Sequence, residues 1–118
     1  MIKAVDSGPV RLLSLDRHEK RNALSQGLCT LLIDEILHPP SSTRAIVLTG
    51  EGTVFSAGAD LDETDFQGAL YPAIAGLMRT IVACPLPVVA YLNGPAIGAG
   101  MMLAMACDLR VVSETAVC

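Results

Sequence analysis

The residues of this chain best suited to chemistry are small ones. From Asn93 to Asp108 the sequence reads NGPAIGAGMMLAMACD: a turn dipeptide, Asn93-Gly94, then breaks at Pro95, Gly98 and Gly100, then an apolar run of helical character. A helix that starts directly after such breaks presents bare backbone N–H groups. There the free donors and the helix dipole favour an oxygen carrying negative charge. Phe55 to Asp60, FSAGAD, is a second small-residue turn able to expose another N–H. Two such turns converging on one point form an oxyanion hole, which holds a carbonyl oxygen as it gathers charge.

Titratable side chains offer less. His18 and His38 stand in polar, loop-like contexts without a nucleophile partner in the pattern, and each reads as a surface histidine. No serine occupies a nucleophile-elbow context, and no metal-ligand cluster exists. Asp60 and Glu63 have capping-box spacing, so Asp60 reads as the cap of a short helix through Phe66. Asp62, Glu63 and Asp65 then form a solvated acidic helix start, with an approach to a ligand pocket as the alternative. Gly58 supplies a backbone angle that other residues resist, and Asp108 bonds neighbouring loop backbone.

The elements that must position these turns alternate between strand and helix. Ile2–Val5 and Val10–Leu15 read as a hairpin around Ser7-Gly8-Pro9. Ser25 is an N-cap, after which Leu28, Leu31, Leu32 and Ile36 form one helical stripe ending before Pro39-Pro40. Ala45–Leu48 is a short strand closed by Thr49-Gly50-Glu51-Gly52. A second helix covers Tyr71–Ala83, with Ile74, Leu77, Met78 and Ile81 inward. Pro87–Leu92 is a strand, Ala99–Ala106 a helix and Leu109–Val112 the last strand. Strands separated by helices imply an α/β fold with parallel pairing and crossovers.

Bulk properties narrow the class. The 118 residues make a plausible single domain, and an apolar content of 52% argues against disorder. Aromatic residues are only 3%, so the core must be aliphatic and alanine-rich. A net charge of −4 without a Lys/Arg run argues against a nucleic-acid partner. The cysteines (Cys29, Cys84, Cys107, Cys118) form no C-x-x-C pair, as expected of reduced thiols in a cytoplasmic protein. Asp6 lies within the first residues and no apolar core follows a basic start, so no signal peptide is expected. Thr80 to Cys107 lacks charge, and Gly94 to Gly98 spells G-x-x-x-G. Pro85, Pro87 and Asn93-Gly94-Pro95 nevertheless divide that run into a buried strand and a buried helix, not a membrane span. A dinucleotide module fits poorly, because Leu103 stands where the third glycine of Gly98-x-Gly100-x-x-Gly would be and no acid follows at the required distance.

HEKRNAL (18–24), RAIVLTGEG (44–52), FSAGADL (55–61) and GPAIGAG with LAMACDLRVV (94–112), in this order, resemble the enoyl-CoA hydratase/isomerase (crotonase) superfamily. The resemblance extends over nearly the whole chain. It implies ββα units wound into a spiral, with residues 1–118 as one crotonase-like domain: the N-terminal portion of the fold, truncated at its C-terminus and lacking the C-terminal helical part. The last segment is especially similar to an actinobacterial branch deficient in hydratase activity.

The resemblance further implies binding of a fatty acyl-CoA or enoyl-CoA thioester, with coenzyme A as part of the substrate and no separate cofactor. It implies a homotrimer or hexamer for the full-length protein. Carried over by position, the two oxyanion donors are the N–H groups of Ala59 and Ala99. Ala57, Gly58, Asp60 and Leu61 flank the adenine and pantetheine arm, Ala23 and Leu24 lie near the adenine edge, and Gly98 and Met102 complete the binding residues. Arg17, Lys20 and Arg21 either meet CoA phosphates or stand on a solvated loop.

Hydratases of the family supply two glutamates, one to activate water and one to move a proton to the alpha carbon. The first falls on Met102, whose thioether cannot shuttle protons; the second would fall after Cys118. Met101 and Met102 read instead as flexible apolar filler beside an acyl chain or in the core. Two readings stay open: an enoyl-CoA hydratase/isomerase, and a non-catalytic acyl-CoA-binding or carrier protein that keeps the cradle without the acids.

Overall fold

Strand and helix alternate because the apolar residues change period along the chain. The structure, a computed structural model, describes residues 1–62 and 68–114. β1 (Ile2–Ser7) and β2 (Val10–Leu15) form an antiparallel hairpin turning at Gly8, whose φ of +58° suits a residue without a Cβ. α1 (Gln26–Leu37) leads to β3 (Ala45–Gly50), and α2 (Leu70–Ala83) leads to β4 (Val88–Leu92). α3 (Ala99–Ala106) leads to β5 (Leu109–Val112). The strands make one sheet in chain order, parallel from β2 onward, as helical crossovers require.

The core lies against one face of this sheet. Leu13, Leu48 and Ala90 stand side by side in register, with Ile46 beside Val88, and all are buried. They share one cluster with Leu28, Leu32 and Ile36 of α1, Ile74, Leu77 and Ile81 of α2, and Leu103 of α3. The opposite face carries a second apolar row, Val5, Leu12, Val47, Val89 and Leu109, paired strand to strand. These residues are only half-buried at the centre and exposed at both ends.

Ser25 caps α1, its Oγ accepting the Leu28 N–H at 3.1 Å. The stripe of α1 differs from the sequence reading at one position: Leu31 is exposed and Cys29 is buried in its place. At about 100° per residue, Leu28, Cys29, Leu32 and Ile36 fall within an arc of about 100°, and Leu31 falls about 60° outside it. Met78 is half-buried, where the sequence pattern places it inward.

Between each parallel strand and its helix the chain makes a short second pairing, and this is where the ββα unit survives. Leu24 bridges Ala59, and Ser56 bridges Ala96, both in parallel. The second strand of each unit has shrunk to single bridge residues stacked above the ends of β2, β3 and β4. Glycine makes the stacking possible. A Cβ on Gly94 would overlap the Thr53 carbonyl, and one on Gly100 would lie 2.8 Å from the Ser56 Cβ. Gly100→Ala should therefore destabilise the fold by about 1–3 kcal/mol, as overpacking does. Gly27→Ala on α1, whose added methyl would meet only the flexible end of Met1 at 3.4 Å, should instead stabilise by up to about 1 kcal/mol. Chemical unfolding of both variants checks the contrast, and equal effects would contradict the close approach.

Candidate functional site

The two small-residue turns meet. The Phe55 N–H donates to the Pro95 carbonyl (3.0 Å) and the Ile97 N–H to the Ser56 carbonyl (3.0 Å), zipping residues 55–58 to 95–98. Gly58, with φ of +100°, packs so close that a Cβ would sit 2.8 Å from the Ile97 carbonyl oxygen and 3.4 Å from the Ala99 nitrogen. Gly98 takes φ +56°, ψ −121° just before α3, a conformation that admits glycine most readily.

Most main-chain donors of the first turn are occupied. Phe55 and Ser56 donate to Pro95, Ala57 to the Arg21 carbonyl, Gly58 to the Ser56 Oγ, and Asp60 to the Leu24 carbonyl. Ala59 is the exception: its N–H has no partner among the described residues. The N–H of Ala99, the first residue of α3, likewise has none among them. Both alanines line a cavity of about 440 Å³ with Ala57, Gly58, Leu61, Gly98 and Met102, closed on one side by Tyr71, Ile74, Ala75 and Met78 of α2. N–H groups of this kind on a largely apolar wall are available to a ligand oxygen, and such bonds strengthen where water is excluded.

Of the residues expected at the site, Ala57, Gly58, Ala59, Leu61, Gly98, Ala99 and Met102 all line this cavity. Ala23, Leu24 and Asp60 do not. Leu24 is fully buried beneath it, donating its N–H to the Gly58 carbonyl at 2.7 Å. Met102 is 59% exposed at the cavity, which removes the core alternative for its side chain; Met101 is the methionine packed against the core. The sequence pattern does not mark α2 as a ligand surface. Tyr71, Ile74, Ala75 and Met78, at i, i+3, i+4 and i+7, are the helical signal that could have found it.

The polar residues nearby hold the loops. Asp60 is covered, with one carboxylate oxygen 2.8 Å from the Arg17 guanidinium and the other accepting the Asp62 N–H at 3.0 Å. That second bond is a local cap; Glu63 to Phe66, the rest of the expected capping box, and Asp65 lie outside the described residues. Arg17 is thus engaged inward, and Lys20 pairs with Asp62 at 3.2 Å on the surface. Arg21 and Asn22 both take left-handed backbone angles (φ 55° and 56°). Buried Asn22 holds that turn by accepting the Arg17 N–H and donating to the Glu51 and Val54 carbonyls. Asn93 similarly accepts the Gly50 N–H and donates to the Gly52 carbonyl. The Asp108 carboxylate accepts the Val88 N–H at the start of β4, so its partner is strand backbone. His18 and His38 are exposed. Among the described residues no helix is long and apolar enough to cross a membrane.

Burial alone would push the Asp60 carboxyl up, but the Arg17 and Asp62 hydrogen bonds, with the Arg17 and Lys20 charges, outweigh it and hold the group below its ordinary value. A carboxyl depressed in the folded state stabilises the fold above its unfolded pKa, about 3.9, and loses that contribution as pH falls through the lower folded value. Asp60→Asn should therefore be less stable than the parent at neutral pH. The difference should close below about pH 4; acid titration of thermal stability measures it, and a gap unchanged at low pH would contradict the ion pair. Burial also pushes the Cys107 thiol up to about 12, so it remains protonated.

Comparison with known proteins gives this geometry a family. The enoyl-CoA hydratase/isomerase family model matches residues 6–118. A Mycobacterium leprae protein named "Probable enoyl-CoA hydratase echA6" is 46% identical over 121 residues, covering 98% of this chain and 49% of its own length. Human enoyl-CoA hydratase domain-containing protein 3 superposes with a TM-score of 0.91 at 33% identity, over 98% of this chain and 49% of that one. A Thermobifida fusca protein described as an enoyl-CoA hydratase, in complex with acetoacetyl-CoA, superposes with a TM-score of 0.81 at 32% identity, over 98% and 51%. The chain belongs to the enoyl-CoA hydratase/isomerase (crotonase) family and folds as an N-terminal portion of the crotonase fold. It spans about half the length of the relatives it matches.

Proposed function

We propose that the protein carrying this segment binds fatty acyl-CoA or enoyl-CoA thioesters and holds the thioester oxygen between the N–H groups of Ala59 and Ala99. The observation that carries this reading is the Ala59 donor, without a partner among the described residues in a run of engaged ones, on the same cavity wall as Ala99. A thioester oxygen held there draws electron density from the acyl group, which favours enolate character at the alpha carbon or attack at the beta carbon. The apolar wall of Ile74, Ala75 and Met78 suits an acyl chain, and the acetoacetyl-CoA complex of the Thermobifida fusca relative supports the ligand class. A cytoplasmic homotrimer or hexamer is the proposed setting. Residues 1–118 would be one crotonase-like domain of that protein.

The donor assignment is tested by Ala99→Pro, which deletes one N–H while remaining compatible with a helix start. Losing one oxyanion donor costs about 3 kcal/mol at the transition state. Turnover of an enoyl-CoA substrate should accordingly fall on the order of a hundredfold, with ground-state affinity for the ester weakened less. Unchanged turnover in the substituted protein would remove Ala99 from the site.

A second reading, a non-catalytic acyl-CoA-binding or carrier protein, is favoured by one residue. Met102 occupies the cavity position at which the family resemblance places the first catalytic glutamate. Without that general acid/base, hydration of crotonyl-CoA should run about 10²- to 10⁴-fold below an efficient enzyme, while long-chain acyl-CoA still binds. Met102→Glu should raise the rate, provided a second acid lies downstream in the full-length protein. A hydration rate on the order of 10² per second in the unsubstituted protein would exclude the carrier reading.

A further inference from the structure

We infer that Arg17 and Asp60 are positioning residues, whose buried ion pair sets the direction of the Ala59 N–H through two peptide planes. The inference rests on the donor reading of Ala59. In a trans peptide the carbonyl and the N–H point in opposite directions, so fixing one aims the other. The Ala59 N–H shares its plane with the Gly58 carbonyl, and that carbonyl accepts the Leu24 N–H at 2.7 Å. Leu24 therefore turns the Ala59 N–H away from the sheet-side layer and toward the cavity. The Leu24 N–H in turn shares its plane with the Ala23 carbonyl, and that carbonyl accepts from Arg17 Nη1 at 3.1 Å.

The other arm of the same guanidinium closes the loop. Arg17 Nη2 lies 2.8 Å from Asp60, the residue after Ala59, whose own N–H donates to the Leu24 carbonyl at 3.0 Å. The two side chains are only 16% and 6% exposed, so water competes weakly for either charge. Arg17 is fixed from its backbone side as well, since its N–H donates to the Asn22 Oδ1 at 2.9 Å. One planar fork thus holds both ends of the relay, a geometry the single ammonium of lysine does not reproduce.

The test uses the protein at its natural length, with crotonyl-CoA carrying a 13C-labelled thioester carbonyl as the probe. Isotope-edited infrared spectra read the polarisation of that carbonyl, and calorimetry reads its affinity. In the unsubstituted protein the bound carbonyl stretch should shift to lower frequency. Arg17→Lys and Asp60→Asn should each lose at least half of that shift, while affinity changes by no more than about threefold, because the cavity lining is untouched. An unshifted carbonyl in the unsubstituted protein overturns the donor reading and this role with it. A shifted carbonyl that both variants leave in place overturns the positioning role alone. Should Asp60→Asn fail to fold, Arg17→Lys, which keeps the charge, decides by itself: a retained shift overturns the positioning role, and a lost one supports it.

Discussion

The site depends on two stretches of main chain lying closer together than side chains permit. Residues 53–58 and 94–100 touch backbone to backbone, and they do so because Gly58, Gly94 and Gly100 have no Cβ to keep them apart. The N–H groups of Ala59 and Ala99, without partners among the described residues, share a cavity through that contact. The sheet contributes by stacking the exits of β2, β3 and β4 in order, so that three loops distant in sequence emerge side by side. Helices behind those loops fill the core and supply, in α2, the apolar wall facing the donors.

Around this contact the polar residues act as fasteners. Asn22, Ser56 and Asn93 satisfy loop carbonyls and N–H groups that would otherwise be stranded away from water. The Arg21-Asn22 turn is held in an unfavourable backbone region by those bonds. Each fastener joins loops belonging to different strand–helix units. The layer is therefore tied together across units, although its strand pairing among the described residues is by single bridges.

Local pattern is legible in the sequence and distant pairing is not. The periods of apolar residues give every strand and helix named above, with α3 and β5 matching residue for residue, because each pattern is written within one element. The small-residue turns disclose where the main chain bends and comes close to itself, since glycine and proline act on the backbone at their own positions. What the pattern hides is held by contacts across the sequence. Arg17 reads as one base among several near the front, and Asp60 as a helix cap. Nothing at either position announces a partner 2.8 Å away on another loop. Leu31 and Cys29 show the same limit on a smaller scale: apolarity is visible in the sequence, while the angle at which a helix rolls onto its sheet is decided by what it meets.

The donors are main-chain atoms, and that separates them from the rest of the cavity. A side-chain substitution at Ala59 or Ala99 leaves an N–H in place unless the new residue is proline, whereas Leu61, Tyr71, Ala75, Met78 and Met102 change the cavity whenever they change. The fold therefore divides heritable variation into two compartments. On the proposed reading, the grip on an oxygen belongs to the backbone and survives exchange of the two alanine side chains themselves, while the side chains presented beside it are free to vary. On that reading an exchange at position 102 changes what stands beside the held oxygen and leaves both donors, and the loops that carry them, in place.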